Sequence, residues 1–186
     1  MKTKTVVLIT LSVIFIVLLI GVALIFPKLT EAFEKSTTKS SSGASAEMSA
    51  PDFTVYDTNG NKVKLSDNLG KPIVVNFWAT WCTYCVKELP DFDALYEEYG
   101  DDVVFMMVDL PDGQRETESA ARSFIKNNGY SFPVYFDLDR SAHNAYIESG
   151  IPVTVFIDSE GNLMEKHVGM MRENSIRENL EKLVGE

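Results

Sequence analysis

The chain has 186 residues with 27 acidic and 17 basic side chains, a net charge of −10. That length holds one domain plus a tail, and the negative balance argues against nucleic acid or another polyanion as partner. The charge is unevenly placed: four lysines and two acids precede Ser36, while the remainder carries 13 basic and 25 acidic groups.

Residues 1–5 include Lys2 and Lys4. Residues 6–26 follow, 21 residues without a charge, with Thr10 and Ser12 as the only polar side chains. At about 1.5 Å per residue this run spans a bilayer core of about 30 Å. The preceding lysines favour a cytoplasmic N-terminus, which puts the rest of the chain outside. A cleaved signal peptide is the alternative. Its small-residue site, Ala44-Ser45-Ala46, stands far beyond Phe26, so a retained anchor fits better. Residues 27–50 form a linker whose Ser36–Ala50 part is rich in Ser, Thr and Ala and has no apolar period.

A domain is expected over 51–186. Phe53, Val55 and Tyr56 suggest a short strand. Asp57-Thr58-Asn59-Gly60-Asn61 is a turn, and Lys62-Val63-Lys64-Leu65 a returning strand. Ile73–Trp78 is nearly continuous apolar sequence, as in a strand covered on both faces. The next helix should reach Tyr99 and end at Gly100, with Leu89, Phe92, Leu95, Tyr96 and Tyr99 inward and a kink at Pro90. Strands follow over 103–108 and 132–136. Helices follow over 116–128, with Ala120, Phe124 and Ile125 inward, and over 139–146. Strands over 153–157 and 163–168 pair across the Asp158–Asn162 turn, and an amphipathic helix over 172–184 closes the chain. The alternation implies an α/β fold with a mixed sheet flanked by helices.

The chain has two cysteines, in Trp81-Cys82-Thr83-Tyr84-Cys85. They stand between the apolar run and the helix. A helix N-terminus presents unpaired N–H groups and partial positive charge, which favour a thiolate. The spacing puts both sulfurs on one turn, close enough to join. Zinc would need a second ligand pair, and His143 and His167 are not so spaced. A purely structural bridge closing so small a loop would restrain the unfolded chain little. A redox role for Cys82 and Cys85 is the better reading. His143 and His167 receive no role, and no metal or cofactor is expected.

Together, Asn76-Phe77-Trp78-Ala79-Thr80-Trp81-Cys82-x-x-Cys85-x-x-Glu88-Leu89-Pro90 and Gly150-Ile151-Pro152-Val153-Thr154 resemble the thioredoxin superfamily. More narrowly they resemble its membrane-anchored TlpA/ResA-like thiol–disulfide oxidoreductases. The resemblance covers about 51–186. It implies a leading β-hairpin, a strand–helix insertion at about 110–146, and a catalytic domain on the extracytoplasmic face behind one transmembrane helix. It also implies a cis bond before Pro152, held against the cysteine pair. Asn76 stands where ordinary thioredoxins have a buried Asp, and Glu88 is the substitute acid. The pair Thr83-Tyr84 between the cysteines matches neither the usual thioredoxin pair nor the common oxidase pairs.

On this reading Cys82 is the nucleophile and Cys85 resolves the mixed disulfide. Glu88, one turn beyond Cys85, accepts its proton. Trp81, Ile151 and Pro152 contact substrate, with the Ile151 backbone open to an extended segment. The expected function is reduction of disulfides in secreted or membrane proteins, such as apocytochromes in cytochrome c maturation. A transmembrane thiol donor would supply electrons, and the bilayer would hold residues 6–26. The same site run in reverse would be a disulfide-forming oxidase. A peroxiredoxin-like peroxidase is less apt, because Ala79 and Val75 stand where that family needs Thr and Pro.

Overall fold

The computed structural model describes residues 49–185. The proposed membrane segment and most of the linker therefore lie outside the described residues. Seven strands form one mixed sheet: β1 (Thr54–Tyr56), β2 (Lys62–Lys64), β3 (Ile73–Trp78), β4 (Val104–Asp109), β5 (Val134–Phe136), β6 (Val153–Ile157) and β7 (Leu163–Val168). Their spatial order is β2-β1-β5-β4-β3-β6-β7. The helices are α1 (Thr83–Tyr99), α2 (Glu118–Asn128), α3 (Ser141–Tyr146) and α4 (Glu173–Val184).

β3 runs parallel to β4 and antiparallel to β6. All six of its residues are buried, which explains its lack of polar alternation. Its side chains alternate between two cores. Val74 and Trp78 meet Leu89, Phe92 and Leu95 of α1 and Ile176 and Leu180 of α4. Ile73, Val75 and Phe77 face the other way, toward Phe53, Val55 and Tyr146. The hairpin β1–β2 does more than precede the sheet. It extends it, through Tyr56 paired with Phe136 on β5. The insertion after β4 supplies α2, then β5 parallel to β4, then α3.

Several expectations need correction. Leu65 is not strand but opens a short 3-10 turn, Leu65–Asn68. α2 begins at Glu118 with Thr117 as its N-cap, whose side chain accepts from the Ala120 N–H. The buried alanine is therefore Ala121, and Ala120 faces solvent. Glu116 lies before that helix and is buried, a placement that helical periodicity could not reveal. Gly129 ends α2 in the left-handed conformation, its N–H bonding the carbonyls of Ile125 and Lys126. Gly100 ends α1 differently: φ is −63°, and a Cβ there would meet the Tyr96 carbonyl oxygen at 2.6 Å.

Phe77 packs between Phe53, at a centroid distance of 6.1 Å, and Tyr146, at 5.4 Å. It joins the central strand to the hairpin and to α3. Phe77→Ala is expected to cost about 3–5 kcal/mol in denaturant unfolding. A loss below about 1 kcal/mol would show that this cluster does not carry the junction.

Candidate active site

β3 ends at Trp78, and Ala79-Thr80-Trp81 carries the chain to α1. The Cys82 N–H bonds the Ala79 carbonyl at 3.1 Å, closing this turn. Cys82 is the N-cap of α1, and its sulfur accepts from the Cys85 N–H at 3.2 Å. That hydrogen bond satisfies one of the unpaired N–H groups at a helix start. Cys82 and Cys85 form a disulfide, with Cα atoms 5.3 Å apart.

The site is more enclosed than its place at a helix end suggests. Cys82 is 5% exposed and Cys85 is fully buried. The Ile151–Pro152 bond is cis, and the Ile151 carbonyl oxygen stands 3.7 Å from the Cys82 sulfur. A disulfide sulfur has no proton to give, so here this is a packing contact. Behind it, the Pro152 carbonyl accepts from the Gly169 N–H at 2.8 Å. Trp81 is exposed, and the Arg115 guanidinium lies over its ring at 4.2 Å. Trp81, Ile151, Leu110, Arg115, Arg140 and Ile147 line a cavity of about 310 Å³. Trp78 is core, as expected.

Glu88 follows Cys85 by three residues on the buried face of α1 and is itself fully buried. Asn76 of β3 donates to Glu88 Oε1 at 2.7 Å, and the Met171 N–H donates to Oε2 at 2.9 Å. The same Asn76 amide also donates to Thr154 Oγ1 at 3.1 Å. Burial pushes the Glu88 carboxyl up to about 7, and these two hydrogen bonds oppose the rise. Asn76 is thus not merely the absence of an acid, since it orients the acid that is present. Position 76 shares the face of Val74 and Trp78, which pack on α1, so strand periodicity could have found this contact. Thr154 closes the second quoted motif but carried no assigned role, and nothing in the sequence pointed to the Met171 backbone.

Two further acids were missed. Asp109 ends β4 beside Trp78, and Glu116 reaches the turn before Cys82, accepting from the Thr80 N–H at 2.7 Å and the Thr80 hydroxyl at 2.6 Å. Both are fully buried. Their only advance signal is position, since both stand near the C-terminal edge of a parallel strand pair, where α/β folds gather functional groups.

A fold with a disulfide-closing cysteine pair at a strand-to-helix junction, faced by a cis-proline, defines a thioredoxin-like thiol–disulfide oxidoreductase. Residues 47–166 match the AhpC/TSA family, and the chain belongs to that family. It is 37% identical over 132 residues to the thiol-disulfide oxidoreductase ResA of Bacillus subtilis (strain 168), covering 69% of this chain and 70% of that protein. The crystal structure of the pneumococcal exposed lipoprotein thioredoxin Etrx1, from Streptococcus pneumoniae strain TIGR4, superposes with a TM-score of 0.63 at 33% identity. It covers 72% of this chain and all of that one (100%). A putative thiol:disulfide interchange protein DsbE from Chlorobium tepidum gives 0.67 at 26% identity, over 75% of this chain and 97% of that one.

Because the folded value for Glu88 stands near 7, above its ordinary 4.5, its contribution to stability is complete below pH 4.5 and is lost as pH rises through 7. The disulfide form should lose on the order of 3 kcal/mol across that window through this group. Glu88→Gln should remove that loss. Denaturation curves of both proteins at stepped pH test this, and parallel pH profiles would refute it.

Proposed function

We propose that this domain reduces disulfides of secreted or membrane proteins outside the cytoplasm, apocytochromes of the cytochrome c maturation route among them. We further propose that residues 6–26 hold it to the membrane. The Cys82 thiolate attacks one sulfur of a substrate disulfide. A mixed disulfide forms, and the other substrate sulfur leaves as a thiolate. Cys85 then loses its proton and attacks Cys82 Sγ, releasing the second substrate thiolate and leaving the Cys82–Cys85 disulfide. The substrate gains two electrons and the protein loses two. A transmembrane thiol donor returns them.

The observation that carries this reading is Glu88. It is buried, held by Asn76 and the Met171 N–H, and poised near pH 7 one turn beyond Cys85. A carboxyl so tuned can take the resolving thiol's proton and give it up again. A cavity lined in part by Trp81 and Ile151, the residues next to Cys82 and Pro152 in the chain, suits an extended substrate segment. Membrane tethering is supported by the uncharged run over 6–26 and its flanking lysines. Among the described residues no helix is long and apolar enough to cross a membrane.

Cys85→Ala leaves the attacking sulfur without its resolving partner. Expressed in cells, this variant should accumulate mixed disulfides with extracytoplasmic proteins, visible as reductant-sensitive bands. Absence of such adducts, or steady peroxide consumption by the unmodified protein, would sink the proposal. A reduction potential like that of the strong disulfide-forming oxidases would reverse the direction.

Fractionation tests the anchor. The full chain should stay with membranes after an alkaline wash, and a chain starting at residue 47 should not. Release of the full chain by that wash would rule out a spanning segment.

A further inference from the structure

Asp109 and Glu116 are fully buried. Among the described residues neither takes part in an ion pair. Glu116 Oε2 is satisfied by two donors from Thr80. Glu116 Oε1 and both oxygens of Asp109 meet no donor. Yet the two carboxyls lie within hydrogen-bonding reach of each other. Two carboxylates side by side in the buried interior repel too strongly for both to remain ionised. One proton resolves the conflict. As a neutral acid, Asp109 donates its O–H to Glu116 Oε1, while the other Glu116 oxygen accepts from Thr80.

We propose that Asp109 and Glu116 share a single proton and act as one positioning unit, fixing the Thr80–Cys82 turn for thiol–disulfide exchange. This rests on the exchange reaction proposed above. The two carboxyls come from different segments, the end of β4 and the loop before α2. Asp109 is fixed by the β3–β4 ladder, and the Leu110 N–H bonds the Trp78 carbonyl at 3.1 Å. Glu116 is fixed by the loop before α2. There Asp112 accepts from the N–H groups of Gln114, Arg115 and Glu116, and the Glu116 carbonyl accepts from those of Asp112 and Gly113. Thr80 is clamped at two atoms, one residue from Ala79, whose carbonyl takes the Cys82 N–H.

Burial, then the adjacent Glu116 charge, push the Asp109 carboxyl up to about 9. The surrounding charges do not undo this. Glu118 adds like charge from α2, although Arg122 pairs with it at 2.6 Å. Asp137 accepts from the N–H groups of Ala142 and His143. Arg115 lies on the Trp81 ring, and Arg140 and His143 line the cavity. Above about pH 9 the shared proton leaves, the carboxylates repel each other, and the hold on Thr80 weakens.

Carboxyl carbon NMR of the full-length disulfide form tests the pair without reference to activity. The Asp109 signal should titrate near pH 9, and Glu116→Gln should move it down by removing the adjacent charge. Titration in the ordinary aspartate range, or no response to Glu116→Gln, overturns the proposal. The second measurement is the rate at which the reduced protein attacks a small aromatic disulfide across pH. Wild type should show an alkaline inflection near pH 9 that is absent from Asp109→Asn, whose amide donates at every pH. Glu116→Ala should slow exchange roughly tenfold, with partial recovery in Glu116→Gln, which keeps an acceptor for Thr80. If wild type exchanges thiols but Asp109→Asn keeps the inflection, the shared proton is refuted and the exchange reading stands. If wild type does not exchange, that reading fails, and the NMR titration still decides the pair.

Discussion

One hydrogen bond, from Asn76 to Glu88, joins the middle of the sheet to the helix that carries the cysteines. Both residues are fully buried, so each would carry a desolvation penalty without the other. β3 can supply Asn76 only because it is covered on both faces, and α1 can supply Glu88 only because its apolar stripe turns that side inward. The contact therefore depends on the whole central packing. In return it fixes the rotation of α1 about its axis, and with it the direction of Cys82 and Cys85.

An amide at position 76 suits a partner whose charge changes. As placed, its NH₂ donates to Glu88 and to Thr154, and its carbonyl oxygen has no donor. Turned over, the same amide would accept the O–H of a neutral Glu88. An aspartate could serve an ionised Glu88 only by carrying a proton itself, as two carboxylates in one buried pocket repel. Asp109 and Glu116 form such a carboxyl couple near the same turn, and the amide keeps Glu88 from forming a second. The two arrangements solve the same electrostatic problem with different chemistry.

The order of elements, the two-sided burial of Ile73–Trp78 and the cysteine pair at the helix start could be read from apolar runs, turn residues and spacing. These are local signals, and local signals survive in a bare sequence. Resemblance, rather than physics, supplied the cis bond before Pro152, since an X–Pro pair alone fits an ordinary strand entry equally well. The acids were harder. Glu88 was legible because it shares a helix with Cys85. Asp109 reads as the polar end of a buried strand, and Glu116 as a first-turn helix acid. Their meeting depends on the parallel β3–β4 register and on a loop closed by Asp112, neither of which leaves a periodic trace. Ala120 and Ala121 show the same limit on a smaller scale. α2 begins two residues later than the sequence suggests, and Ala121 rather than Ala120 turns inward.

The acids also bear on which way electrons would flow in the proposed reaction. A dithiol becomes a strong oxidant when its surroundings stabilise the thiolate, because that stabilises the reduced form. Here α1 offers its N-terminal dipole to Cys82. Against it stand the buried carboxyls of Glu88, beyond Cys85, and of Glu116, which reaches the turn before Cys82 through Thr80. Negative charge in a poorly solvated site raises a neighbouring thiol's pKa. A thiol so raised is a stronger nucleophile once deprotonated and a poorer leaving group from its own disulfide. It also makes the reduced form less favoured and hence more willing to give up its electrons. The arrangement of buried carboxyls thus opposes the helix dipole and favours the proposed reductive direction.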